Sequence, residues 1–301
     1  MGNIAMKRAL ALGGAALVVL GLQVLVTPQS EASPGDRAGS VRMAAGTDPC
    51  GPRIRRAAGG YYQCSLVDNF DGSTLDSQLW HVMDGSSEGE ACTANSSDTV
   101  VVAGGTLRLT ARPVASADQC PVRPDGTRAA YVTGSVNTFW KWSQQYGRFE
   151  ARMKSPVASA AGPHEAFWLW PDIRYSTDAT WPASGEIDIA ETYAAHPDLA
   201  IPFLHYTSND NGGPVPGLNT SWSCFAQRGQ WHTYVLEWTA AKLVIKVDGN
   251  TCLTNTAGAA SFRKPFIMAF SQLLDDSGAN KMVSAAAVPT TLEVDYVKVW
   301  R

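Results

Sequence analysis

The chain has 301 residues, 45% of them hydrophobic and 17% charged, with a formal net charge of −3. That supplies enough apolar material for a packed core, and a β-sandwich can run to about 200–250 residues as one domain, so the length does not demand two. Nothing basic points to nucleic acid as a partner, and the slight acidity fits a neutral polymer without choosing one.

At the start, Lys7-Arg8 precedes an apolar run over 9–26, followed by Thr27-Pro28-Gln29 and the small-residue triplet Ser30-Glu31-Ala32. These are the three regions of a secretory signal, expected over 1–32 with cleavage near Ala32. A membrane anchor is the alternative, but the run is short for spanning and is diluted by Gly13, Gly14, Gly21 and Gln23. Either way the remainder is expected outside the cell, with no stable membrane partner once the signal is removed. Residues 33–58, rich in Gly, Ala, Pro and Arg without apolar periodicity, read as a flexible linker. A single catalytic domain is expected over 59–301.

Six cysteines and no C-x-x-C pair agree with an oxidising compartment rather than a redox or zinc motif. Sequence alone permits about 15 connectivities. Sequential pairing, Cys50–Cys64, Cys92–Cys120 and Cys224–Cys252, is favoured because each bond closes a local loop without a crossing; Cys50 is its weakest member, since it falls in the presumed linker.

From Tyr61 onward short alternating runs are punctuated by Gly, Asp, Asn and Pro: 66–70, 99–102, 106–110, 132–136, 233–238, 242–247, 265–272 and 291–300. No stretch between them keeps a helical period, so the reading is all-β, a sandwich or barrel. Val247-Asp248-Gly249-Asn250-Thr251 reads as a hairpin whose Asp-Gly supplies positive φ.

Within this pattern Gly185-Glu186-Ile187-Asp188-Ile189-Ala190-Glu191 places three carboxylates in six residues. On a strand Glu186 and Asp188 share one face and Ile187 and Ile189 the other, which puts Glu191 on the apolar face. A lone carboxylate there would be costly. A β-bulge around Ile189-Ala190 would turn Glu191 back to the face of the other two acids. Paired carboxylates suit glycoside hydrolysis, which needs them about 5–5.5 Å apart for retention or about 6.5–9.5 Å for inversion. A solvated acidic edge or part of a metal site are the alternatives that these six residues leave open.

The surrounding motifs reach further. Tyr146-Gly147-Arg148-Phe149-Glu150-Ala151-Arg152, Ala166-Phe167-Trp168-Leu169-Trp170-Pro171, Trp181-Pro182-Ala183-Ser184-Gly185, Trp231-His232-Thr233-Tyr234, Glu237-Trp238, Val247-Asp248-Gly249 and Asp295-Tyr296-Val297-Lys298-Val299-Trp300 follow in order. Over about 61–301 the chain resembles glycoside hydrolase family 16, in its laminarinase-like branch with the bulged E-x-D-x-x-E motif. The resemblance implies a jelly roll of two curved antiparallel sheets with a glycan cleft across the concave one. It also implies Glu186 as nucleophile, Asp188 as its assistant and Glu191 as general acid/base. The chain departs from many laminarinases in two places. His164-Glu165 replaces a Trp-Pro pair, and Leu273-Leu274-Asp275-Asp276-Ser277-Gly278 replaces a Gly-Gly-x-Trp loop.

Sugar rings pack their C–H faces on aromatic rings, so the ten tryptophans are weighed singly. Trp168 and Trp170 share one strand face, where core filling is the ordinary account; the family places their counterparts near the cleavage point. Trp181 lies one turn before the acids, and Trp140, Trp142 and Trp222 lie in loop-like surroundings suited to glycan platforms. Trp80, Trp231, Trp238 and Trp300 read as structural. His205, in a strand-like run, is ordinarily a structural histidine, but by resemblance it partners Asp188 or the substrate. Asn137, Arg148 and Gln272 are weaker candidates for sugar hydroxyls, and Arg148 equally suits a pair with Glu150. His81, His164, His196 and His232 show no ligand spacing. The family often binds a structural calcium for which Asp295 is one matching ligand, but Asn69 stands where an acid is usual; no cofactor is required for the chemistry.

The expectation is a secreted, monomeric, endo-acting enzyme that cuts internal β-1,3 bonds of β-glucan with retention. Its rivals are the same chemistry on mixed-linkage β-glucan or a galactan, transglycosylation, and a non-catalytic glucan-binding module.

Overall fold

A computed structural model describes residues 48–116, 118–175 and 180–301. The expected signal over 1–32 and most of the expected linker lie outside the described residues. The described strands, in chain order, are β1 (Cys64–Asp68), β2 (His81–Val82), β3 (Ser87–Glu88), β4 (Ala91–Thr93), β5 (Val100–Ala103), β6 (Thr106–Pro113), β7 (Tyr131–Thr133), β8 (Ser135–Asn137), β9 (Gly147–Lys154), β10 (Pro163–Pro171), β11 (Glu186–Tyr193), β12 (Ala200–His205), β13 (His232–Trp238), β14 (Leu243–Val247), β15 (Asn250–Asn255), β16 (Phe266–Leu274) and β17 (Thr290–Trp300). Three 3₁₀ turns are the only helical elements among the described residues.

The strands form two sheets, one in the order β12-β11-β10-β16-β8-β2 and one in the order β15-β14-β13-β9-β17-β6-β7-β4-β3, with β1 beside β17 and β5 beside β6. Alternation builds the core between them. Phe167 and Leu169 of β10, Ile187 and Ile189 of β11, and Met268 and Phe270 of β16 meet Phe149, Ala151, Leu236, Val294 and Val297 of the other sheet. All pairings are antiparallel except β4 with β7. At the β14–β15 hairpin Asp248 and Gly249 hold φ of 49° and 80°, the primed turn that Asp-Gly favours.

The run 132–136 is not one strand. The chain passes from β7 in the larger sheet to β8 in the smaller one at Gly134, where a Cβ would lie 2.0 Å from the Thr99 carbonyl oxygen. Only glycine allows that approach, so a pattern that looks continuous in sequence changes sheets.

All three sequential disulfides are formed. Cys50 is 2% exposed, and its bond to Cys64 ties residues 48–58, read as part of a flexible linker, to the β1 edge. Arg53 over Tyr61 and Arg56 over Tyr62 add cation–π contacts there.

Candidate active site

The acids stand on β11 as their spacing predicts. Against β12, Asp188 pairs with Phe203 and Glu191 with Ile201, so three steps on β11 oppose two on its neighbour. Against β10, Phe167 pairs with Ala190 and Trp168 with Asp188. One residue is therefore extra in both registers. Ile189 and Ala190 both pack into the core, and Glu191 emerges on the opposite face, beside His164. Gly185 delivers the chain into β11 at φ +94°; a Cβ there would come within 2.9 Å of the Ser261 carbonyl oxygen and 3.2 Å of the Phe266 ring.

Glu186, Asp188 and Glu191 are each nearly fully buried, so their surroundings decide what they can do. The Trp181 indole N–H donates to Glu186 Oε2 at 2.7 Å. His205 Nε2 lies 3.3 Å from Asp188 Oδ2 and 3.9 Å from Glu186 Oε2, while its Nδ1 faces Asp210 Oδ1 at 2.8 Å. Burial alone would lower the His205 pKa, but hydrogen bonds to Asp188 and Asp210 and the charges of Asp188 and Glu186 outweigh it and push it up to about 10. The ring stacks on Phe203 at 4.3 Å and meets Trp181 at 5.2 Å. Ligand atoms of Glu186, Asp188 and His205 lie close enough together to suggest a metal site. The same three side chains form an ion-paired cluster around the His205 ring.

Two residues of β10 that spacing did not single out lie at the site, His164 on the face of the acids and Glu165 beneath them. His164, 3% exposed, bridges Glu191 Oε1 through Nε2 at 3.1 Å and Asp275 Oδ1 through Nδ1 at 3.0 Å. Tyr193 stacks on its ring at 4.2 Å. Glu165, on the opposite side of β10, is fully buried in the inter-sheet space. It accepts from Arg228 Nη1 and Nη2 at 2.7 and 2.8 Å, from Thr192 Oγ1 at 2.7 Å and from Gln272 Nε2 at 3.0 Å. A buried carboxylate so paired meets the cost of its own desolvation. The signal for both was their unusual position in β10; their partners lie many residues away in sequence.

Of the expected glycan contacts, Trp168 and Trp170 lie on the face of the acids, 6.1 Å apart and edge-on, with Trp168 Nε1 bonded to Ser271 Oγ at 3.0 Å. Trp181 and His205 join the acids directly. Asn137 lies on the same face of β8, its Oδ1 accepting from the Phe139 N–H. Trp140 is 59% exposed with the Arg174 guanidinium over its ring, and Trp222 is half-buried against His196. Three expectations are corrected. Gln272 shares the parity of Phe270 and points inward, into the Glu165 network. Arg148 belongs to the other sheet and binds Glu150 and Glu237. Trp142 packs on the core, edge-on to Phe149.

Asp295, the residue the resemblance offers to calcium, is held by Arg152 Nη1 at 2.6 Å. With a guanidinium on its carboxylate and exposed Asn69 in place of an acid, this donor set does not fit a calcium ion.

A two-sheet jelly roll with carboxylates clustered on one strand of the smaller sheet is the architecture of a class of glycoside hydrolases. The sequence pattern of Glycosyl hydrolases family 16 matches residues 88–275, and the chain belongs to that family. It is 28% identical to glucan endo-1,3-beta-glucosidase A1 of Niallia circulans, over 78% of this chain and 37% of that protein. To the beta-glucanase of Rhodothermus marinus it is 31% identical, over 57% of this chain and 63% of that one. The chain thus spans less than two thirds of either relative. The X-ray structure of the laminarinase from Rhodothermus marinus superposes with a TM-score of 0.67 at 25% identity, covering 80% of this chain and 97% of that one.

Proposed function

We propose that the protein is an extracellular endo-β-glucanase that cuts internal β-1,3 bonds with retention of configuration. Glu186 attacks the anomeric carbon while Glu191 gives a proton to the leaving glycosidic oxygen. Glu191 then takes a proton from the water that releases the glycosyl-enzyme. Asp188, between them and paired with His205, orients Glu186. The observation that carries the reading is the bulge at Ile189-Ala190, which turns Glu191 out of the core to the face of Glu186 and Asp188. Support for the substrate comes from the glucanase relatives and from Trp168, Trp170 and Trp181 around the acids, which offer aromatic faces to sugar rings. Three disulfides support an oxidising, extracellular setting.

The test is product analysis by mass and linkage after incubation with β-1,3-glucan, mixed-linkage β-glucan and agarose. Short oligosaccharides from β-1,3-glucan, lost in folded Glu186→Gln and Glu191→Gln variants, are expected. Near-normal turnover by either variant would overturn its assigned role. Binding without products would favour a glucan-binding module, and products from agarose alone would move the substrate to a galactan.

A further inference from the structure

Two segments distant in sequence meet behind Glu191: His164 at the start of β10 and Asp275 in the loop after β16, 111 residues apart, bond directly through their side chains. Asp275 is itself fixed: its Oδ2 accepts from Asn280 Nδ2 at 3.0 Å, its backbone N–H donates to the Gly162 carbonyl, and its carbonyl accepts from the Met282 N–H. Asn280 Nδ2 also donates to the Pro163 carbonyl at 3.0 Å, so the loop after β16 is pinned to the start of β10. We propose that His164 and Asp275 are positioning residues that hold the catalytic proton of Glu191, forming an Asp275–His164–Glu191 relay. This rests on the assignment of Glu191 as acid/base made above.

The chemistry follows from proton counting. The Glu191–His164 pair shares one proton, which resides either on Nε2 beside a carboxylate or on Glu191 beside a neutral ring. The other ring proton stays on Nδ1, which donates to Asp275 Oδ1 in both forms, and Asp275 remains an anion. When the C–O bond breaks, the shared proton goes to the leaving oxygen and leaves a neutral imidazole beside a carboxylate. In the second half-reaction a water proton returns to the pair as its oxygen bonds the anomeric carbon. Such a pair titrates as one macroscopic unit rather than as two residues. The groups facing the His164 ring are Glu191 and stacked Tyr193 from β11 and Asp275 from the loop after β16; Glu165 points the other way. Burial alone would lower the His164 pKa, but Asp275 and Glu191 outweigh it and push it up to about 10, so the pair keeps its proton into the alkaline range. A glutamate acid without this partner releases its proton at lower pH.

The experiment is the pH profile of kcat/KM on β-1,3-glucan between pH 5 and 10 for the intact protein, His164→Gln, Asp275→Asn and Glu191→Gln. Circular dichroism and melting temperature establish folding, and ¹⁵N-histidine NMR of the ring reads protonation without activity. The expected result is a basic limb shifted down by at least one pH unit in both His164→Gln and Asp275→Asn, with turnover retained at acidic pH, and ring nitrogens that lose their proton at lower pH in Asp275→Asn. A purely structural role would lower the whole profile without moving the limb. Asp275 is more exposed than His164, so Asp275→Asn decides the matter if His164→Gln does not fold. A limb left in place, with Glu191→Gln inactive, overturns the relay alone. Near-normal turnover by Glu191→Gln overturns the acid/base assignment and the relay with it.

Discussion

Replacing Glu165 with alanine would strand the Arg228 guanidinium between the sheets, where its side chain is 3% exposed. Arg228 would keep its Nε bond to the Pro156 carbonyl at 2.8 Å but lose both bonds to the carboxylate, and Thr192 and Gln272 would each lose an acceptor. Breaking a buried pair from one side costs about 3–5 kcal/mol. For a domain of this size each kcal/mol moves the melting temperature by about 2–4 °C, so a fall on the order of 10 °C is expected. Removing both charges with apolar side chains of similar volume, in Glu165→Leu/Arg228→Met, should recover most of that loss. Thr192 keeps Ser155 and Gln272 keeps the His164 and Leu273 carbonyls as partners, so the remaining deficit should be no more than about 1 kcal/mol. Urea unfolding at pH 7, with slopes compared for two-state behaviour, measures both variants. A single variant within about 1 kcal/mol of the parent, or a double variant as unstable as the sum of its singles, would refute the buried-pair account.

Gly185→Ala should lower turnover far more than Ala183→Gly, because a Cβ at φ +94° meets the Ser261 carbonyl and must displace the residue before Glu186; equal, small effects in steady-state kinetics would count against the close approach. His205 binds its proton more tightly when folded, with a pKa raised from 6.5 to about 10. Its stabilisation is complete below about pH 6.5 and is lost as pH rises towards about 10. Melting temperatures across that window should therefore decline, and Asp188→Asn, which removes a carboxylate that raises His205, should flatten the decline. An unchanged slope in the variant would detach Asp188 from the histidine.

Local order was legible wherever strand parity governs. The isoleucines fix which face of β11 is core, and a glutamate on the wrong side demands one extra residue, so the bulge could be read before any coordinates. The same rule identifies Gln272, two residues from core Phe270, as inward-facing, against its reading as a weaker candidate for sugar hydroxyls. Arg148 follows the alternation of β9, but no local pattern says which sheet β9 joins. Gly134 hid a crossing between sheets inside one apolar run. His164 and Asp275, like Glu165 and Arg228, meet only through the β10–β16 and inter-sheet pairings, which depend on contacts distant in sequence.

The bulge in β11 also changes the arithmetic of insertion and deletion. In a regular strand, losing one residue swaps every later side chain to the other face. Here Ile189 and Ala190 already spend two consecutive positions on the core side. Deleting one of them restores strict alternation, with the Glu191 side chain still opposite the core, Thr192 still inward and Tyr193 still beside it on the acid face. This is the one point in the strand where a single-codon deletion conserves the phase of everything downstream. Change in the length of the carboxylate motif is therefore a short step for this fold, whereas the same deletion between Glu186 and Asp188 would exchange the two faces of everything beyond it.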